Sequence, residues 1–355
     1  MFVLDSHCDT PSQILRLRDL SLDNEYAHVD FPKLKRGGVD AAFFALYVPA
    51  GLDSDPESAF NYVVRLLDGV RQAVAENPDK ASFAFSYDEA FRNKTEGLFS
   101  VFLGLENGSP IGNDLEMVRW FYDAGIRYIT LCHSGNNQIC DSCAPKTARW
   151  GGLSPFGRDL IKEMNRLGML VDVSHISDAS FYDVLECSCK PVVATHSCCR
   201  ALAGHPRNMS DEMIRALASA GGVIQVNFYP LFIDPAFQSV LASSRLAEKG
   251  ERIEAEFIND PSDWQKREAW NRIQDELQAL TRPSFKLIAD HIDHVVEITG
   301  INHVGIGSDF DGIEVTPSGL EDISMMPVLF EELRVRGYSE ADLAKIAGEN
   351  FFRIL

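Results

Sequence analysis

The chain has 355 residues, of which 45% are hydrophobic and 24% charged, and this composition excludes a disordered or collagen-like polymer. Its 33 Lys+Arg against 52 Asp+Glu give a net charge of −19, so neither a nucleic acid nor an anionic membrane surface is an expected partner. The longest apolar run, Ala41 to Val48, falls far short of the ~20 residues a membrane helix needs.

Taken in chain order, short β-rich runs alternate with amphipathic helical stretches. Strands are predicted at 2–7, 41–48, 100–106, 128–133, 169–175, 191–196, 222–227 and 304–309. Helices are predicted between most of them, at 58–77, 114–124, 155–167, 178–186, 210–220 and 283–299. Such alternation implies right-handed β-α-β crossovers, and eight repeats of it predict an α/β fold of the (β/α)8 TIM-barrel type. One domain is expected over 1–355. Residues 230–282 break the pattern as a charged, mostly helical insertion before the last strand, interrupted by Asp260-Pro261-Ser262-Asp263. Loops that follow barrel strands emerge at the catalytic face, so the insertion is expected to lie over it. The competing reading is a surface helical hairpin packed down by Trp264 and Trp270.

The eight cysteines are clustered or adjacent, as at Cys187/Cys189 and Cys198/Cys199, a poor layout for a disulfide framework. The first residues show no basic stretch followed by an apolar one, and the last carry no anchor signal. A reducing cytoplasmic location is therefore expected. Cys140 and Cys143 have zinc-knuckle spacing but no second pair, and read as loop residues.

Six ionisable residues close predicted strands: His7, Glu106, His133, His175, His196 and Asp309. In a barrel these ends share one rim, and unpaired groups crowded there need partners or a metal. In His7-Cys8-Asp9 the outer residues point to the same side of an extended chain and can share a cation. Glu106 could cap a following helix or bridge two cations. Imidazole and carboxylate donors together suit Zn²⁺, with Mn²⁺ or Fe²⁺ as substitutes. Asp309 can carry a proton to or from an activated water, whereas Asp311 could cap a helix. His28, His205, His291, His294 and His303 end no strand, and 289–294 reads as a solvated helix face.

These motifs resemble those of the membrane dipeptidase (renal dipeptidase) family of zinc peptidases, within the amidohydrolase superfamily. The carriers span the chain: Asp5-Ser6-His7-Cys8-Asp9-Thr10-Pro11, Gly104-Leu105-Glu106-Asn107-Gly108, Thr130-Leu131-Cys132-His133, Asp172-Val173-Ser174-His175, Ala194-Thr195-His196-Ser197, Pro206-Arg207-Asn208, Val226-Asn227-Phe228-Tyr229 and Gly307-Ser308-Asp309-Phe310-Asp311-Gly312. The resemblance implies two Zn²⁺ ions per subunit, bridged by Glu106, one completed by His7 and Asp9 and the other by His175 and His196. It implies that His133 holds the scissile carbonyl oxygen, that Arg207 pairs with the substrate's terminal carboxylate with Tyr229 beside it, and that Asp309 transfers the proton. A hydroxide bridging the cations would be the nucleophile at neutral pH. The implied substrate is a dipeptide with a free C-terminal carboxylate, with a D-residue tolerated there, and the family suggests a homodimer. The mammalian members' secretion signal and lipid-anchor tail have no counterpart here, so membrane attachment is not carried over. The rival readings are an N-acyl amino-acid deacylase or another amidohydrolase on the same scaffold, and a metal-binding protein without activity.

Overall fold

A computed structural model describes residues 1–355. Nine strands form one parallel sheet: β1 (Leu4–Cys8), β2 (Ala41–Tyr47), β3 (Ala81–Phe83), β4 (Phe99–Glu106), β5 (Ile126–Thr130), β6 (Leu170–Asp172), β7 (Val193–Ser197), β8 (Val223–Val226) and β9 (Val304–Ile306). Eight of them follow the order β1-β2-β4-β5-β6-β7-β8-β9. The ring closes where Cys8 bridges Phe310 and where Asp309 N–H donates to the His7 carbonyl at 3.0 Å. This is the expected (β/α)8 barrel. The ninth strand, β3, was not expected. It pairs only with β4, beside the barrel path.

The helices form where the periodicity placed them, with ends fixed by local chemistry. Helix Pro155–Leu167 has proline at its first turn, the Ser154 hydroxyl accepting from Gly157 N–H, and Gly168 in the left-handed conformation after its end. Ser177 and Ser210 cap helices Asp178–Cys187 and Asp211–Ser219 in the same way.

Strand alternation divides the core into two clusters. Ala42, Phe44, Val101, Leu103, Ile129 and Val171 face outward into a cluster of 70 buried residues under the helices. Leu4, Ala41, Phe43, Phe102, Tyr128, Leu170 and Val193 face inward, in a cluster of 11 that floors the barrel. Further along, four inward columns turn polar: Tyr128 leads to Thr130, Leu170 to Asp172 and Val193 to Thr195, each two residues on, and Phe102 leads through Gly104 to Glu106, four residues on. The apolar floor and the polar layer above it are thus one period-2 pattern.

The segment 230–282 folds into helices Pro230–Ile233, Phe237–Ser244, Leu246–Asn259 and Trp264–Gln278, with the break at Asp260–Asp263 as expected. It has a small core of its own, in which Phe237, Leu241, Phe257, Trp270, Ile273 and Leu277 pack with Val315 from the loop after β9. Trp270 is buried but Trp264 is 70% exposed, so only one of the two tryptophans packs the segment down.

His291 corrects the expected solvated face. It is buried, its Nδ1 accepts from Cys199 N–H at 3.0 Å, and its Nε2 lies 3.3 Å from the Ile233 carbonyl. Burial lowers its pKa from 6.5 to about 4. Above pH 6.5 both folded and unfolded chains hold it neutral. Between pH 6.5 and 4 the unfolded chain takes up a proton that the folded chain refuses. Stability should therefore fall by about 3 kcal/mol across that window from this residue alone. Urea unfolding of the metal-free protein should show wild type losing about that much more than His291→Asn, which keeps an acceptor for Cys199, between pH 7 and pH 4. Parallel pH profiles would contradict this account.

Candidate active site

The rim places all six strand-closing residues together, although most of the strands are shorter than expected. Glu106 ends β4, whereas His133, His175 and Asp309 lie three residues beyond β5, β6 and β9. His175 and Asp309 have φ of 71° and 65°, a backbone region rarely used by residues other than glycine. His7 and His196 lie where strand register shifts, between Asp5 and Cys8 in β1 and between Ala194 and Ser197 in β7. A bulge at the end of a strand re-aims a side chain, and here it turns two imidazoles into the mouth.

Glu106 is at the centre and almost fully buried. Its Oε2 lies 3.4 Å from His7 Nε2, and its Oε1 lies 3.2 Å from His175 Nε2 and 3.4 Å from His196 Nε2. Asp9 Oδ2 stands 3.7 Å from His7 Nε2, and Asp309 Oδ1 3.9 Å from the same atom. The His133 ring centre is 4.2 Å from that of His175, and its Nε2 is 3.9 Å from Glu106 Oε1.

Burial lowers the pKa of the imidazoles at 133, 175 and 196, with Arg207 and His7 adding to the effect; His133 drops to about 3. His7 moves the other way, because Glu106 and Asp9 outweigh its desolvation. Burial raises Asp9 to about 6, assisted by Glu106, and raises Asp309 to about 7 against the pull of His7. Asn227 steadies Asp309, its Nδ2 donating to Oδ2 at 2.8 Å. Packing leaves no slack here: a Cβ on Gly312 would stand 2.0 Å from Asp9 Oδ2 and 2.8 Å from Asp309 Oδ1.

Above the rim is a cavity of roughly 460 Å³, within the range of small-ligand sites. Arg207 and Tyr229 line it. The Arg207 guanidinium is pinned by Ser197 Oγ at 2.8 Å and by the His196 carbonyl at 2.7 Å, and it lies over the Phe232 ring, against which Tyr229 packs edge-on. Glu251, Glu254, Trp270 and Gln274 of the insertion also line the cavity. Glu254 pairs with Arg16 from the helix after β1. The insertion thus covers the mouth, as its position after β8 predicts.

The donor set fits a pair of cations. His7 Nε2 and Asp9 Oδ1 are buried without any hydrogen-bond partner, a costly state for polar atoms. His175 Nε2 and His196 Nε2 face each other at 2.8 Å, both toward the same carboxylate oxygen. Ligands of a tetrahedral Zn²⁺ stand ~3.3 Å from one another, given bonds of about 2.0–2.1 Å. The separations about Glu106 lie close to that edge. Each Glu106 oxygen faces a different histidine group, His7 with Asp9 beside it on one side and His175 with His196 on the other.

A parallel barrel with buried imidazoles and carboxylates converging at the C-terminal ends of its strands defines a metal-dependent hydrolase. The chain belongs to the membrane dipeptidase family (Peptidase family M19), which it matches over residues 1–355. It is a metallo-dipeptidase of that family. An uncharacterized dipeptidase of Schizosaccharomyces pombe is 30% identical over 368 aligned residues, covering 99% of this chain and 80% of that protein. Dipeptidase aclJ of Aspergillus oryzae is 32% identical over 350, covering 97% and 73%. Among solved structures, the probable dipeptidase PvdM of Pseudomonas aeruginosa superposes with a TM-score of 0.81 at 27% identity, covering 100% of this chain and 94% of that one. A metallo peptidase of Rhodobacter sphaeroides, solved with a phosphinate mimic of the dipeptide L-Ala-D-Ala, has the same fold, with a TM-score of 0.80 at 24% identity covering 100% and 98%. No helix is long and apolar enough to cross a membrane.

Sequence reasoning passed over several residues of the site. Tyr128, packed where Gly104 leaves room, brings its hydroxyl 2.9 Å from His7 Nδ1. Asp311, weighed as a helix cap, instead accepts from His28 N–H at 2.7 Å and Thr10 Oγ1 at 2.8 Å and holds the cavity wall. An acid within an apolar strand, as at Asp172, was the one visible signal for the polar layer under the rim.

Proposed function

We propose that this metallo-dipeptidase is a binuclear zinc enzyme that hydrolyses dipeptides with a free C-terminal carboxylate, including those ending in a D-residue. The observation that carries the reading is the division of Glu106, one oxygen toward His7 and the other toward His175 and His196. His7 and Asp9 would hold one ion, His175 and His196 the other, with Glu106 between them. The ions would supply Lewis acidity and bring the ionisation of water toward neutrality.

The remaining roles fall to residues of the chain. Arg207, held rigid by two hydrogen bonds, offers a preformed fork to the substrate carboxylate, and Tyr229 packs through Phe232 onto the same guanidinium. His133, neutral at working pH, can donate a hydrogen bond to the scissile carbonyl oxygen as negative charge develops there. Asp309, oriented by Asn227, accepts the proton of the attacking water and delivers it to the leaving amine. The D-residue part of the reading takes its lead from the ligand of the Rhodobacter sphaeroides protein. A dimer of such chains and a cytoplasmic site of action remain part of the proposal.

A substrate panel with metal analysis tests it. Dipeptides, L,L and L,D, should be cleaved in preference to N-acyl amino acids and lactones. A chelator should abolish the activity with the fold intact, and Zn²⁺ should restore it as two ions bind per chain. Inactivation that zinc fails to reverse, or preferential turnover of N-acyl amino acids, would overturn it.

A further inference from the structure

Beneath the rim, inside the barrel, a buried hydrogen-bonded layer ties β5, β6 and β7 together. Asp172 is at its centre, fully buried, and accepts four hydrogen bonds. Its Oδ1 takes those of Ser174 N–H at 3.0 Å and Thr195 N–H at 2.9 Å. Its Oδ2 takes those of the Thr130 hydroxyl at 2.5 Å and the Thr195 hydroxyl at 2.7 Å. Four donors match the four lone-pair sites of a carboxylate.

Thr195 is the link to the rim. Its Oγ1 also stands 2.8 Å from His196 Nδ1 and, at a longer 3.5 Å, from His7 Nδ1. A hydroxyl has one proton, and here a carboxylate that can only accept lies at hydrogen-bond distance. The proton therefore points to Asp172, and the oxygen's lone pairs face the imidazole. His196 must then carry its hydrogen on Nδ1, which leaves the Nε2 lone pair free on the side facing Glu106 and His175, 3.4 Å and 2.8 Å away.

We infer that Thr195 and Asp172 are positioning residues which lock His196 in its ligating tautomer and orientation through the relay Asp172–Thr195–His196. The inference rests on the two-ion reading above. A donor hydrogen bond from the far nitrogen also makes the near one more basic, and loss of such a partner weakens metal binding about 10–100-fold. Thr195→Val removes the hydroxyl while keeping the shape. It leaves His196 N–H without its acceptor and Asp172 Oδ2 short of a donor. Thr195→Ser keeps both bonds.

The test titrates metal-stripped wild type, Thr195→Val and Thr195→Ser with Zn²⁺ against a chromophoric chelator, and with Co²⁺ to read its visible bands. Melting of each metal-free form reports the fold. Thr195→Val is expected to fold but to melt lower than wild type, since two buried groups lose their partners, and to bind one of its two ions about 10–100-fold more weakly with altered Co²⁺ bands, while Thr195→Ser restores both. Wild-type affinity in Thr195→Val, or a Thr195→Ser that is equally weak, overturns the inference. So does a melting loss that accompanies the weaker binding and is not relieved by serine. If valine prevents folding, Thr195→Ala carries the same comparison, and failure of that variant too would make the hydroxyl structural and end the inference. Wild type that binds fewer than two ions would sink the two-ion reading itself, which is a separate outcome.

Discussion

Asp309→Asn should lower kcat on dipeptides by about 10²–10⁴-fold, the usual worth of a placed general acid–base group, with little change in KM. The substitution exchanges one oxygen for an amide of the same shape. Asn227 Nδ2, now 2.8 Å from Oδ2, keeps an acceptor in the remaining carbonyl oxygen. Backbone bonds hold the turn regardless of the side chain: Asp309 N–H donates to the His7 carbonyl at 3.0 Å, and Gly312 N–H to the Asp309 carbonyl at 3.1 Å. What disappears is the capacity to take a proton from water and return it to an amine. Steady-state kinetics and metal analysis of the same preparation separate the possibilities. Two ions retained with kcat collapsed supports proton transfer by Asp309. Near-wild-type kcat removes it from the mechanism. Loss of an ion would recast the residue as a ligand, for which its 3.9 Å approach to His7 Nε2 leaves room.

The barrel was legible because alternation of apolar strands and amphipathic helices is a local property, and the rim was legible because ionisable residues end apolar runs. Helix Pro155–Leu167 emerged with the bounds read from the sequence, since Ser154, Pro155 and Gly168 mark its ends chemically. The strand ends were less legible. His133, His175 and Asp309 lie in turns beyond their strands, and the positive φ of His175 and Asp309 has no signature in residue type. The register shifts that aim His7 and His196 are equally silent, since a bulge is decided by the neighbouring strand. β3 has only three residues and pairs at one edge, too little for a period to show. His291 deceived because polar residues three apart on a helix look solvated. Its burial is decided by Cys199 and Ile233, partners 92 and 58 positions away. Apart from Asp172 itself, the polar layer was hidden for the same reason: the donors to that carboxylate come from β5, from β7 and from the turn after β6, and only closure of the barrel brings them together.

Arg207→Ala should cut kcat/KM for dipeptides by about 10²–10³-fold, since removing one member of a buried, hydrogen-bonded charge pair costs 2–5 kcal/mol. An analogue with its C-terminus capped as an amide should lose far less, because it brings no carboxylate for the guanidinium to hold. The contrast matters because Arg207 also serves the fold. It binds Ser197 Oγ and the His196 carbonyl, on the same short stretch that supplies a rim histidine. A general disturbance of that stretch would depress both substrates alike and change the metal content, so equal losses would remove the carboxylate role. Arg207→Lys sharpens the comparison. A lysine brings the charge but only a single ammonium, which cannot fork onto a carboxylate while also holding Ser197 and the His196 carbonyl. It should therefore recover part of the dipeptide activity through charge alone and remain well below wild type. Full recovery by lysine would mean that the site needs only a positive potential, and that the fixed geometry of Arg207 contributes nothing to choosing substrates with a free carboxylate.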